Sequence, residues 1–128
     1  MQTFLHYFLH LGCPLLIAYL CFRKDWKKVY LILIATMFID ADHLLASPIF
    51  QADRCSINFH PLHTHYAMVL YAGLLLLRKP FNVIGIGLLF HLLTDLIDCS
   101  LTYANCEACL ENSPVVGLLE VIARVFEN

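Results

Sequence analysis

The ionisable groups that could do chemistry in this chain come in short, regularly spaced sets. These are His6 with His10, Asp40 with Asp42 and His43, His60 with His63 and His65, and His91 with Asp95. On a helix, residues three or four apart share a face, as His6/His10, Asp40/His43 and His91/Asp95 would. His60 and His63 share one too if helix begins before them. Asp42 is the exception, rotated well away from Asp40. Neutral imidazole with carboxylate is a donor set for Zn²⁺, Mn²⁺, Fe²⁺ or Ni²⁺, and the absence of cysteine from it argues against a structural thiolate site. Eight candidates, His10, Asp40, Asp42, His43, His60, His63, His91 and Asp95, exceed what one tetrahedral zinc takes, so one or two divalent ions, zinc first among them, are expected. A two-ion centre, with its ions roughly 3.5–4 Å apart, activates water and stabilises a phosphoryl transition state. His10, Asp40, His43, His91 and Asp95 are the expected direct ligands, with His60 and His63 completing the site. Asp42 is the candidate general base; it could equally reach a second metal or orient a ligand histidine.

The elements that must position these groups are apolar. Of the 128 residues 60% are hydrophobic and 14% charged, and the mean hydropathy is +0.72. A soluble domain is nearer roughly 45–50% apolar, so the composition predicts a small integral membrane protein. Its net charge of −2 leaves no basic face for phosphates, which argues against nucleic acid as a partner. No repeat or low-complexity tract is present, and the N-terminus lacks the basic region and cleavage site of a signal peptide. Four apolar stretches, about 4–22, 29–46, 63–77 and 81–98, predict an all-α membrane bundle of four transmembrane helices in one domain. The third stretch is short against the roughly 20 residues that a crossing takes. Pro14 predicts a kink inside the first, and Pro80 suits the first turn of the fourth.

Arg23, Lys24, Lys27 and Lys28 lie between the first two stretches, and Arg78 and Lys79 between the last two. Six of the eight basic residues are therefore on one side, which the positive-inside rule makes cytoplasmic. Both termini then face outward across a bacterial inner membrane. At 1.5 Å of rise per residue, His10, Asp40 and His91 sit roughly 9–10 Å in from the outer ends of their segments. His6, His43 and Asp95 form a shallower layer, and His60, His63 and His65 stand at the outer entrance of the third. A lone membrane histidine is usually a helix–helix hydrogen-bonding group. Convergence of four segments at one depth favours a functional site instead.

The order of these pieces, His6-Tyr-Phe-Leu-His10, Asp40-Ala-Asp42-His43, His60-Pro-Leu-His63-Thr-His65 and His91-Leu-Leu-Thr-Asp95, resembles the bacterial membrane-bound metal-dependent hydrolases. These include the YdjM-like, LexA-binding inner-membrane proteins. The resemblance covers roughly residues 6 to 99 and implies a hydrolase fold of membrane helices around a divalent metal centre. The larger proteins tend to read H-R-G-x-T-H-S where this chain reads H-P-L-H-T-H-Y. Either His60 with His65, or His63 alone, could be the equivalent, and helical facing favours His60 and His63. No arginine follows His60, so a phosphate-anchoring role does not carry over.

Cys55, Cys99, Cys106 and Cys109 fall on the outer side, where oxidation is allowed. Pairing Cys55 with Cys99 would staple the second loop beside the site, and Cys106 with Cys109 would close a small loop; a CxxC zinc knuckle lacks a second thiol pair. Cys13 and Cys21 read as small apolar residues inside the first stretch. Residues 114–127 read as a short amphipathic helix lying in the interface or packing on the bundle. The function expected is hydrolysis of a phosphoryl or ester bond in a lipid-like or membrane-associated substrate at the outer face, with metal-activated water as nucleophile. Transport of a metal ion or proton is the competing class, but it calls for polar residues in the inner half, which is nearly bare. A metal-binding accessory or sensor protein is the third. The sequence leaves room for a homo-oligomer.

Overall fold

The computed structural model describes residues 2–47, 49 and 54–127, and every regular element among them is helical. Met1, Pro48, residues 50–53 of the expected outer loop, and Asn128 lie outside them. Helix α1 (Gln2–Cys21) carries one π-helical turn, Phe8–Gly12. Its position follows from Pro14, which has no N–H for the His10 carbonyl and so disturbs the turn before it. The kink expected from Pro14 thus takes the form of a π-turn, and His10 sits within it.

Helix α2 (Trp26–Ala35) continues as ten residues of 3₁₀ helix, Thr36–Leu45. The change comes at Thr36, whose hydroxyl donates to the Leu33 carbonyl at 2.6 Å and competes there with the α-helical ladder. A short 3₁₀ turn, Pro61–His63, precedes α3 (His65–Leu74), whose first turn is capped by Thr64 Oγ1 accepting the Ala67 N–H at 3.3 Å. Helix α4 (Phe81–Asn105) is the longest at 25 residues and packs on α1, α2 and α3. A 3₁₀ turn, Glu107–Leu110, then leads to α5 (Val116–Glu127), which folds back onto α4.

Four crossing helices are expected from hydropathy. Two helices among the described residues, Gln2–Cys21 and Phe81–Asn105, are long and apolar enough to cross a membrane. The second stretch departs because its backbone changes hydrogen-bond pattern halfway. The third departs because α3 has ten residues, a rise of about 15 Å. The fourth helix runs seven residues past the expected 98, and α5 starts at Val116 rather than 114. It buries Leu119 in the cluster that also holds Tyr103 of α4, the packing role expected of that segment.

Two apolar clusters divide the molecule by height. Ala18, Val29, Leu33 and Val83 close the end bearing the basic loops, where Lys79 Nζ lies 3.7 Å from Asp25 Oδ2 and joins the two loops. Ile39, Ile57, Tyr71, Leu92 and the Cys55–Cys99 pair are in the cluster toward the other end. The buried set includes His10, Asp42, His60, His63, His91 and Asp95, whereas Phe4, Leu31, Phe38, Tyr66, Val69 and Leu76 are largely exposed. Buried imidazoles and carboxylates beneath a surface rich in large apolar side chains depart from the soluble pattern.

Two glycines in α4 set the helix spacing. A Cβ at Gly85 would lie 2.8 Å from the Tyr71 carbonyl of α3, and one at Gly87 would lie 2.6 Å from Thr36 Oγ1 of α2. Thr36 is one turn before Asp40 and Gly87 one turn before His91, so this close approach fixes how near those two side chains come. Gly87→Leu should therefore lower stability by about 1–3 kcal/mol through overpacking, read as a lower Tm in detergent. Gly73→Ala, with nothing within 4 Å of the new methyl, should leave Tm unchanged or raise it.

Candidate metal centre

Four side chains from three segments converge at the end away from the basic loops. The 3₁₀ segment supplies Asp40, the turn before α3 supplies His63, and α4 supplies His91 and Asp95. Their donor atoms all lie within 4.8 Å of one another. His63 Nε2 is 3.2 Å from Asp95 Oδ2, 3.4 Å from His91 Nε2 and 3.6 Å from Asp40 Oδ1. His91 Nε2 is 3.1 Å from Asp40 Oδ1 and 3.4 Å from Asp95 Oδ2. Bonds of 2.0–2.2 Å to a tetrahedral zinc imply donor–donor edges of roughly 3.3–3.6 Å. The set therefore has the size of one metal's coordination shell. Asp95 Oδ2 is also buried without a hydrogen bond.

The second nitrogen of each imidazole explains how the first is aimed. His63 Nδ1 lies 3.1 Å from Asp42 Oδ2; a carboxylate only accepts, so Nδ1 carries a proton, and Nε2 is the nitrogen that would offer its lone pair to an ion at the centre. Asp42 Oδ2 also accepts the Leu62 N–H at 2.9 Å, and the Tyr71 hydroxyl donates to the Leu62 carbonyl at 3.1 Å. The turn that carries His63 is thus tied to two helices. His91 Nδ1 lies 3.4 Å from Met37 Sδ, a weak acceptor. Behind Asp95 stands His10, whose Nε2 is 3.5 Å from Asp95 Oδ1 and 3.1 Å from Thr94 Oγ1. Thr94 gives its own proton to the His91 carbonyl at 2.7 Å, so it accepts from His10.

Three more of the eight candidates form a second group: Asp42, His43 and His60. His43 Nδ1 is 3.3 Å from Asp42 Oδ1, and its ring stacks on that of His60 with centroids 3.9 Å apart. Burial and the neighbouring His43 hold the His60 imidazole below its ordinary titration range, which keeps a lone pair on it at neutral pH. His10 belongs to neither group, and His65 is exposed beside Asn58. Asp42 joins both groups although α-helical geometry would turn it about 160° from Asp40. The 3₁₀ winding of Thr36–Leu45, at three residues per turn, cuts that to about 120°.

A cavity of about 290 Å³ opens onto Asp40, His43 and Asp95. Its other walls include His6, Arg54, Ser56, Asp98, Thr102 and the Cys55–Cys99 disulfide. Both expected disulfides, Cys55–Cys99 and Cys106–Cys109, are present. Arg54 stacks its guanidinium 4.8 Å over Phe59 and donates to the Ile49 carbonyl at 2.9 Å. Arg54, Ser56, Thr94 and Met37 were not legible as site residues, because a lone Arg, Ser, Thr or Met carries no spacing signal.

Fold and site together define the class: an all-helical protein with two helices able to cross a membrane and a buried His/Asp cluster that could hold a metal ion. The chain belongs to DUF6122, a family of unknown function, which it matches over residues 1–102. No curated protein and no solved structure matches it.

Proposed function

We propose that the protein is a membrane-embedded, metal-dependent hydrolase acting on a phosphoryl or ester bond of a membrane-associated substrate at the outer face of a bacterial inner membrane. The observation that carries this is the four-donor shell of Asp40, His63, His91 and Asp95 opening onto a cavity. Its resemblance to the membrane-bound metal-dependent hydrolases, through the same residues, supports it.

A divalent ion held there would supply Lewis-acid activation of water and of the scissile group. The protein's own part is positional. Asp42, buried and away from the cavity walls, holds the His63 Nδ1–H and so acts by orientation rather than as a base. Arg54 brings a positive charge to a cavity that also bears the carboxylates of Asp40, Asp95 and Asp98, and a guanidinium suits an anionic phosphoryl oxygen. Ser56 and Thr102 offer hydroxyls beside it.

The membrane arrangement we infer keeps four segments in the bilayer with both termini outside. Only 17% of the apolar window of α1 is buried, unlike the core helix of a soluble protein. The α2 helix and its 3₁₀ continuation together rise about 35 Å, enough to cross. Among the described residues an apolar cluster of Ala18, Val29, Leu33 and Val83 stands between the site and the basic-loop end, which favours a one-sided enzyme over a transporter.

Purified protein loaded with Zn²⁺ or Mn²⁺ should hydrolyse a chromogenic phosphoester or a carboxyl ester of lipid type. Chelation or His91→Gln should lower the rate at least about 100-fold. Equal rates for the loaded wild type and His91→Gln, on both ester classes, would refute the hydrolase assignment.

A further inference from the structure

Three buried side-chain atoms beside the four-donor shell lack any hydrogen-bond partner: Asp42 Oδ1, His43 Nδ1 and His60 Nε2. They belong to the three residues of the second convergent group. Buried polar atoms are almost always satisfied, so three orphans gathered at one place call for a common partner. Carboxylate oxygen and neutral imidazole nitrogen offer lone pairs, and the partner that accepts three of them at once is a cation.

The other atoms of two of these residues are already held in ways that aim the orphans. His43 Nε2 lies 3.1 Å from Ser56 Oγ, leaving Nδ1 turned toward Asp42. Asp42 gives Oδ2 to His63 Nδ1 and the Leu62 N–H, leaving Oδ1 turned toward His43. We propose that Asp42, His43 and His60 form a second divalent-cation site, joined to the first through the two oxygens of Asp42. Two imidazoles and one carboxylate are the donors of a three-ligand site for zinc or a neighbouring first-row ion, with a position left for another ligand. His43 lines the cavity, so that position is within reach of what the cavity admits. The coupling is specific. An ion on Oδ1 draws charge from the same carboxylate that orients His63, so filling one site alters the affinity of the other.

This rests on the four-donor shell holding its own ion, and metal stoichiometry separates the two claims. The full chain, purified in detergent and loaded with Zn²⁺ or Mn²⁺, is assayed for bound metal by mass spectrometry and for affinity by calorimetry. Two ions per chain are expected for the wild type. His60→Asn and His43→Gln should each keep one, and His91→Gln should keep the other. Asp42→Asn should lose the second ion and bind the first roughly 10–100-fold more weakly. A wild type with one ion, lost in His91→Gln and retained in both His60→Asn and His43→Gln, overturns the second site and leaves the first standing. One ion lost in His60→Asn and His43→Gln but kept in His91→Gln does the reverse. A single His variant that fails to fold is replaced by the other, since both make the same demand.

Discussion

Replacing Asp95 with Asn, or His91 with Ala, should reduce divalent-metal affinity by roughly two to three orders of magnitude while leaving the helical content intact. The magnitude follows from sharing the roughly 10–16 kcal/mol of a structural zinc site among four ligands, about 2.5–4 kcal/mol each. These two residues are the sharpest test because both lie on α4, one turn apart on one face, and both belong to the four-donor shell. His91 is fully buried, with Asp40 and Asp95 oxygens at 3.1 and 3.4 Å from its Nε2. Asp95 also holds the buried, unbonded oxygen. His10→Ala should be milder, since His10 touches Asp95 only through its other oxygen, 3.5 Å away. Calorimetric titration of the three variants against wild type reads the difference; equal losses for His10→Ala and His91→Ala would contradict the placement of His10 behind the shell.

Removing the Cys55–Cys99 bond should have the second large effect. The bond closes a separation of 44 residues, and in the chain-entropy account such a loop is worth about 4 kcal/mol against the unfolded chain. It also fixes the start of the segment that brings His60 and His63 to the site, because Cys99 lies one turn beyond Asp95 on α4. The Cys55→Ser, Cys99→Ser double variant should lose about 2–4 kcal/mol of stability and bind metal more weakly. A Cys106→Ser, Cys109→Ser variant, whose bond spans a separation of 3, should keep its metal affinity. Thermal unfolding in detergent with and without metal distinguishes the pair. A Cys55/Cys99 variant as stable and as tightly binding as wild type would show that the segment is held by other means, such as the Leu62 bonds to Asp42 and Tyr71.

Much of this centre is legible in the sequence because its pieces are local. His91 with Asp95 and Asp40 with His43 announce shared faces by spacing alone, and four outer cysteines permit three pairings, of which the favoured one, Cys55–Cys99 with Cys106–Cys109, is present. What spacing does not show is the hydrogen-bond pattern of the backbone. Residues 36–45 read as α-helix by hydropathy, yet they wind as 3₁₀, and that winding brings Asp42 round to serve both groups. The π-turn at Phe8–Gly12 likewise sets His10 behind Asp95 rather than beside Asp40. Both irregular stretches carry site residues, in keeping with the tendency of such turns to mark functional positions. Hydropathy also overstates continuity: four apolar stretches read as four crossings, whereas two helices meet the length and composition of a span. The polar companions, Thr94 and Met37 above all, are invisible until the helices are packed, because each acts through one neighbour.

The most direct measurement is X-ray absorption at the metal edge on detergent-purified protein carrying whatever ion it retains or takes up. A divalent ion with only nitrogen and oxygen neighbours at roughly 2.0–2.2 Å, showing imidazole scattering that diminishes in His91→Ala, is the predicted result. Protein that holds no ion as purified, takes up none on exposure to Zn²⁺ or Mn²⁺, and shows no change in Tm with either would contradict the metal centre outright.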